Sequence, residues 1–488
     1  MNRYLIYSTY YPTPHFETEM DIAKQLIQAG KEVFFLTCKS YFQTCFVNIN
    51  HHRAICNVCQ SKVEAGLKEL SIPKNRIIQF PNVPLYHTES FLKERITSIE
   101  TLKAFKYKGS DIGLAVASSI ISIRRDHRFD INAYWQDIVR GINTAQMVHD
   151  ATEIVFEQIK PDAAILFNGR LIENRPFMRL CERSGITFYT HERGGLTNKY
   201  SFIENSTPHS LERIKKEIET TWQNADINKE KIGVSFFEGR RNGAQQSWYS
   251  FIKNQEKGLL PSSFDKKKFN ISIFNSSMDE YETIPDFDSK IYQNDNDGIE
   301  KICAAFEHNL NYQFYLRVHP YLKGLRNTQI KELEKLAAHF KNITIIRPSE
   351  KIDSYALMEA SDSIISFGST MGVEALYWGV PSLLAGRAYY EDLKGLLKPS
   401  SHEQVVEMIE NIKINDKTNP STQHKDEAIK YGYWCLTFGT PYQYFTPTGI
   451  SSGTFSGKKI SPTRISQLNR ILLKAGQLLT KYTVAKFK

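Results

Sequence analysis

Along this chain, short apolar runs of strand length alternate with longer stretches whose apolar positions recur every three or four residues. Arg3 to Tyr7 predicts a first strand, Phe16 to Ala29 a helix and Glu32 to Thr37 a second strand. A mostly helical stretch follows to about Lys160, within which Ile112 to Ile123 reads as a buried helix too short to span a bilayer. Asp162 to Phe167 is then a strand, the residues up to Ser184 a helix, and Ile186 to Tyr189 a strand. "EKGLLPSSFDKKK" (Glu256–Lys268) combines Pro, Ser and a charge run and predicts a linker. After it, strands are expected near Asn270–Phe274, Gln313–Val318, Ile343–Ile346, Ser363–Phe367 and Ser382–Ala385.

Strands alternating with helices predict α/β domains with parallel sheets covered on both faces. A chain of 488 residues exceeds one ordinary core. The expected plan is a Rossmann-like domain over 1–255, a linker over 256–268 and a second Rossmann-like domain over 269–430. An aromatic segment over 431–457 and a basic helix over 458–488 complete it. Two doubly wound domains in series predict a ligand cleft at the carboxyl ends of their strands.

The net charge of +9 sits at one end. The last acid is Glu427; nine cations follow it, and residues 1–427 are neutral overall. Ile465, Leu468, Leu472, Leu479 and Tyr482 recur at helical spacing among Arg470, Lys474 and Lys481, after the Gly/Ser-rich "GISSGTFSGKK". A basic amphipathic helix after a hinge fits an anionic membrane surface, and docking on the body with a solvated basic face remains the alternative. Aromatics are too sparse among these cations for nucleic acid. The start has too short an apolar run for a signal peptide, so a cytoplasmic protein at the inner membrane face is expected.

The richest chemistry lies in "SDSIISFGSTMGVEALYWGVPSLLAG", Ser361 to Gly386. A strand breaks at Phe367, passes through Gly368, Ser369 and Thr370, and enters a helix over Met371–Trp378. Helix mouths favour anions, and Glu374, four residues past Thr370, falls on the same face one turn down. A phosphate on the turn and a sugar hydroxyl on Glu374 form one reading; a plain helix cap is the other. His319 follows another strand with Arg317 just before it, and Asn275, Ser276 and Ser277 follow a third. A cation or protonated His there would offset charge on a departing phosphate.

The pattern "LRVHP…SDSIISFGSTMGVEALYWGVP" resembles bacterial capsule and surface-polysaccharide glycosyltransferases of the GT-B fold, in the Kdo-transferase-like and sialyltransferase-like groups. The resemblance implies that His319-Pro320 and Ser369-Thr370 contact the phosphate of a CMP-linked sugar. It covers about 269–390; "FNGRLIENR", "HERGG" and "YGYWCLTFGTPYQYF" are also familiar from capsule biosynthesis proteins.

The first domain is expected to hold the acceptor and the general base. His15, Glu17 and Glu19 follow the first strand; Asn168 and Arg170 follow a second, and Glu192 and Arg193 end a third. Glu17, Glu192 and His15 are candidate bases, with Asn168, Arg170 and Arg193 for the acceptor. First-turn acids serving a helix dipole, and a Glu192–Arg193 ion pair, are the plainer readings. Four of seven cysteines cluster as Cys38, Cys45, Cys56 and Cys59 around His51 and His52, which predicts either a structural zinc site or reduced thiols in a loop. "DND" (Asp295–Asp297) has metal-binding spacing but precedes a helix and is assigned to capping, so no catalytic metal is expected.

The expected function is transfer of a sugar from a nucleotide donor, preferably CMP-linked, to a capsule or lipopolysaccharide-type acceptor. The rivals are a CDP-polyol phosphotransferase, a zinc-bearing nucleic-acid-binding protein and an inactive scaffold.

Overall fold

The computed structural model describes residues 2–85, 87–244, 252–412 and 422–462. They form two compact units. The first contains Met1–Arg124, Arg128–Pro208 and the chain from Gly439 onward; the second contains Arg125–His127 and His209–Phe438.

In the first unit, β1 (Arg3–Ser8), β2 (Glu32–Thr37), β3 (Ile77–Gln79), β4 (Ala163–Phe167) and β5 (Thr187–Arg193) are parallel in the order β5-β4-β1-β2-β3. Antiparallel β6 (Lys199–Glu204) extends the sheet beyond β5. Alternate residues of β1 enter opposite cores: Leu5 and Tyr7 join Leu36, Ala164 and Leu166, whereas Ile6 joins Val33, Phe35 and Ile165. Both faces are covered, which explains why these strands read as continuous apolar runs. A satellite helical core forms around Ile112–Arg124 and Trp135–Ile159.

The second unit repeats the plan. Here β7 (Phe269–Phe274), β8 (Tyr312–Arg317), β9 (Ile343–Ile346), β10 (Ser363–Ser366) and β11 (Ser382–Leu384) run parallel in the order β11-β10-β7-β8-β9. Both units therefore have Rossmann-type strand order, with each sheet reversing direction beside its first strand. These are the two α/β halves that a GT-B chain requires, and the expected strands and their parallel sense are present.

The division between units differs from the expected linker. Glu256–Lys268 packs on the second unit: Phe264 stacks on Tyr315 at 4.9 Å and the Gly258 N–H donates to Asp353 at 2.9 Å. The chain instead changes unit at Pro208/His209, because the helices Leu211–Gln223 and Lys229–Arg241 share a core with the helix Thr422–Thr437. The return to the first unit starts at Gly439, where β12 (Thr440–Pro441) pairs antiparallel with β6. The expected hinge after it is a hairpin of β13 (Phe445–Gly449) and β14 (Ser452–Phe455). The amphipathic pattern of 463–488 lies outside the described residues. Among those described, no helix is long and apolar enough to cross a membrane.

The crossing of Lys229–Arg241 with Thr422–Thr437 depends on two glycines. A Cβ at 432 would lie 2.5 Å from the Gly233 carbonyl oxygen, and one at 233 would lie 2.4 Å from that of Ile429. Helix propensity alone favours Ala at 432 by about 1 kcal/mol, yet backbone cannot yield to the added methyl. Gly432→Ala is therefore expected to destabilise the protein by roughly 1–3 kcal/mol, the usual cost of overpacking. A lowered denaturant midpoint in urea unfolding checks the sign.

Candidate functional site

In the second unit, β10, β7 and β8 are adjacent and in register, with Ser366 beside Phe274 and Phe274 beside Arg317. The turns that follow leave the same edge of the sheet within two strand spacings, about 10 Å. They carry Gly368–Thr370, Asn275–Ser277 and His319.

The turn after β10 is set by Gly368, whose φ of +88° admits no ordinary side chain and whose Cβ would strike the Arg387 carbonyl at 2.6 Å. The Ser369 carbonyl accepts hydrogen bonds from Ser366 Oγ at 2.9 Å and from the Tyr390 hydroxyl. The helix Met371–Trp378 follows, and Ser369 Oγ accepts from the Met371 N–H at 3.4 Å.

Across the sheet, Asn275 Oδ1 accepts the His319 N–H at 2.9 Å, which ties two of the turns together. The Tyr321 N–H donates to His319 Nδ1 at 3.4 Å, leaving the ring proton on Nε2. Burial pushes the imidazole down to about 4; Asp279 opposes the shift and Arg125 adds to it. His319 is therefore neutral near pH 7 and acts as a hydrogen-bond donor, not as the imidazolium considered from sequence.

Around it, Arg125 clamps Asp279 and donates to Ser277 Oγ at 3.2 Å, while Ser277 Oγ donates to Asp279 at 2.6 Å. Ser276 donates through N–H and Oγ to Asp295 Oδ2, at 2.8 and 2.6 Å. Burial pushes the Asp295 carboxyl up to about 6. The "DND" segment forms the first turn of the helix Asp295–Ala305, and the cap is the preceding Asn294, whose side chain accepts the Asp297 N–H.

Two assignments change. Arg317 is buried, and its guanidinium donates to the carbonyls of Arg347 and Glu350 at 2.7 and 3.1 Å, so it braces the loop after β9 instead of meeting a ligand. Glu374 is fully buried; it accepts from Arg240 Nε at 3.0 Å on one oxygen and from the Tyr355 hydroxyl on the other. It holds no ribose. Its predicted alignment with Thr370 is nevertheless present, because Arg240 also donates to Thr370 Oγ1 at 3.1 Å.

In the first unit, a second polar cluster occupies the carboxyl edge of β1, β4 and β5. His15 Nε2 lies 3.5 Å from Glu192 Oε1, and its ring packs on Phe167 at 4.3 Å. Burial pushes His15 down to about 4, opposed by Glu192. Asn168 Nδ2 donates to Glu192 Oε2 at 2.9 Å, and the Arg193 N–H donates to Oε1 at 3.1 Å. Asn168 holds a φ of 58° in the left-handed region, where Asn is tolerated.

Glu17 is buried against Lys62, with Nζ to Oε1 at 2.7 Å, and accepts from Thr13 Oγ1 at 2.9 Å. Its carboxylate is thus buried and engaged by Lys62 and Thr13, whereas the Glu192 side chain of the His15–Glu192 pair is partly exposed. Glu19, read from sequence as serving a helix dipole, is instead buried between Ser8 Oγ and His191. Arg170 stands in the loop after β4, and Arg193 NH2 lies 3.5 Å from Ser451 Oγ.

Several members of these clusters carried no motif. Arg240, Tyr355, Arg125 and Lys62 are single polar residues in helices or loops, recognisable only by their partners. Glu173 is buried, its carboxyl pushed up to about 7, and accepts the Phe46 N–H at 3.2 Å.

The four clustered thiols do not close on a point. Cys38, Cys45, Cys56 and Cys59 line one cavity of about 290 Å³. Tetrahedral zinc draws its sulfurs to roughly 4 Å from one another. Among the described residues, the one set of three ligating side chains mutually within 4.8 Å is His149, Asp150 and Glu153, and the Lys108 ammonium already lies 2.8 and 3.3 Å from its two carboxylates. No three of the four thiols come within 4.8 Å of one another, so the described side chains do not form the expected zinc geometry.

Residues 287–409, which carry His319, Ser369, Thr370 and Glu374, match the family described as "Capsule polysaccharide biosynthesis protein". This agrees with the resemblance read from the sequence. No match is found among curated proteins. Similar solved structures include the Thermosulfurimonas dismutans KpsC beta Kdo 2,4 transferase, 14% identical over 55% of this chain and 79% of that one, with a TM-score of 0.34. The UDP-GlcNAc 2-epimerase from Neisseria meningitidis bound to UDP-GlcNAc is 12% identical over 88% of this chain and 98% of that one, with a TM-score of 0.29. Scores this low carry no functional weight.

Removing one partner of a buried ion pair strands the other charge. Arg240→Met is expected to cost about 3–5 kcal/mol, whereas the pair Arg240→Met with Glu374→Leu recovers most of that loss. A double-mutant cycle by urea unfolding measures the coupling.

Proposed function

We propose that the protein is a glycosyltransferase of capsule polysaccharide biosynthesis that takes a nucleotide-activated sugar, CMP-linked by preference. The observation that carries this reading is the convergence of Asn275, His319 and the Gly368–Thr370 turn on one edge of the second sheet, largely within the stretch that matches the capsule family. The turn offers a hydroxyl pair at a helix start, where partial positive charge favours phosphate. His319, neutral with its proton on Nε2, donates to a phosphate oxygen as charge develops during departure of the nucleotide. Arg125 and Asp279 fix the ring's surroundings.

In the first unit, His15 and Glu192 receive the proton of the acceptor hydroxyl. Glu192 is the more exposed of the two side chains and is the group that meets the hydroxyl, with His15 Nε2 3.5 Å from its Oε1. Asn168 holds Glu192, and Arg170 and Arg193 bind the saccharide acceptor. We assign the acceptor to a capsule or lipopolysaccharide-type glycan at the inner membrane face, with the acid-free basic tail as the contact to anionic lipid. No catalytic metal is required by these roles.

Thermal-shift titration with CMP, CDP, UDP and GDP tests the donor class. CMP is expected to raise the melting temperature most, and no shift with any of the four would defeat the proposal. His319→Ala is expected to lower kcat by about 10²–10³-fold with an unchanged circular-dichroism spectrum. A phosphorus atom in the product linkage would instead identify polyol-phosphate transfer.

The histidine shifts also fix a pH dependence. His15 and His319 stay neutral when folded down to about pH 4, whereas an unfolded imidazole binds a proton near 6.5. The unfolded chain thus binds more protons between these values, and both residues make stability fall as pH drops from about 6.5 to about 4. His319→Gln should flatten that decline in a series of unfolding curves.

A further inference from the structure

We infer that the first unit contains a separate site for one unbranched hydrocarbon chain, in the cavity between β2 and the helix Arg53–Glu69. The inference does not rest on the transferase reading.

The cavity measures about 290 Å³. Natural interiors rarely leave voids much larger than a water molecule, because empty apolar space costs stability. Its wall follows one straight stripe of the helix, from Ile55 and Cys56 through Cys59 and Val63 to Leu67 and Lys68. At 1.5 Å per residue that stripe is about 20 Å long. A cavity drawn out along one helix face has the elongated shape that an extended hydrocarbon chain fills.

The wall chemistry agrees. Val47, Ile55, Ile72 and Ile77 remain only half-buried although apolar neighbours surround them. The four cysteines stand among them as free thiols, and burial pushes Cys38 up to about 11, so it is an uncharged, polarisable surface. A cavity whose lining surface is mainly apolar accepts hydrocarbon. The hydroxyls of Ser8, Thr9 and Ser40 line the end near the carboxyl termini of β1 and β2, which places a polar head there and the tail toward Ile72 and Ile77.

The test uses the full chain with straight-chain fatty acids of eight to twelve carbons, titrated by calorimetry. Affinity should rise about four-fold per methylene, the factor expected for a buried CH₂. Dodecyl phosphate and dodecyl maltoside, run in parallel, separate recognition of the chain from that of a carboxylate or phosphate head. Equal affinity for all three assigns recognition to the chain, and stronger binding of an anionic head adds a head contact to it.

Cys59→Phe fills the slot and should weaken dodecanoate binding at least ten-fold. Because that variant could fold poorly, alkylation of wild-type Cys56 and Cys59 by N-ethylmaleimide is measured as well; dodecanoate should slow it at least ten-fold. Affinity independent of chain length, or alkylation unaffected by dodecanoate, would overturn the site whatever the nucleotide titrations show.

Discussion

The second unit is organised around one buried carboxylate. Glu374 has no exposed surface, and a charge held there needs compensation at short range. Arg240 and Tyr355 provide it from two other helices. Much of the local architecture follows from delivering that guanidinium. The helix Lys229–Arg241 must lie close enough to reach Glu374, and the Gly233–Gly432 crossing sets its approach to the helix Thr422–Thr437. Because Arg240 also bonds Thr370, the same contact fixes the hydroxyl turn from beneath. A turn braced in this way is preorganised for an anion and does not have to rearrange when one arrives.

The two units share a strand order but differ in how they handle charge. The second gathers hydroxyls, a neutral imidazole and an arginine already paired with Asp279. Such a set stabilises a transferred charge without exchanging protons near neutral pH. The first gathers carboxylates in graded states: Glu17 against an ammonium, Glu192 held by an amide, and Glu173 with its carboxyl pushed up to about 7. Each carboxylate thus meets a different environment: a cation at Glu17, an amide at Glu192, and burial that raises the proton affinity of Glu173.

Much of this was legible in the amino-acid sequence, for local reasons. Strands β1, β2, β7, β9 and β10 are dense in β-branched and aromatic residues, and Gly379 and Pro381 mark the stop of Met371–Trp378 clearly. The Gly368–Thr370 turn could be placed on a sheet edge because it lies between a strand and a helix. The unit boundary was not legible, since Glu256–Lys268 has linker composition while Leu211–Gln223 and Lys229–Arg241 are joined to the second unit by contacts distant in sequence. The β13–β14 hairpin was missed because its short, Gly-containing strands carry no strand periodicity, and antiparallel β6 (KYSFIE) was missed although it holds Tyr, Phe and Ile. The CxxC pair pointed to zinc because spacing along the chain does not show whether Cys38 and Cys45 fold close enough to join it.

Arg317 and Glu374 explain why polar residues near strand ends are hard to assign from sequence. Both lie within a few residues of a ligand-type turn, and both face inward. Arg317 is the last residue of β8, still within the hydrogen-bonded ladder, so its side chain is directed by the pleat into the layer below, where it finds carbonyls. Glu374 is one helical turn past the mouth, on the side that packs against other helices. The groups left at the edge are those just past a strand and before the next helix: Asn275, His319, Ser369 and Thr370. A side chain beyond the ladder is no longer committed by pleat or helix periodicity and can be aimed at a ligand. Those within a regular element are claimed by packing, and their charges serve as braces. Proximity to the end of a strand is therefore a weak guide, and position outside the ladder does not suffice either, since Asn275, Ser276 and Ser277 are buried there and bonded to protein partners.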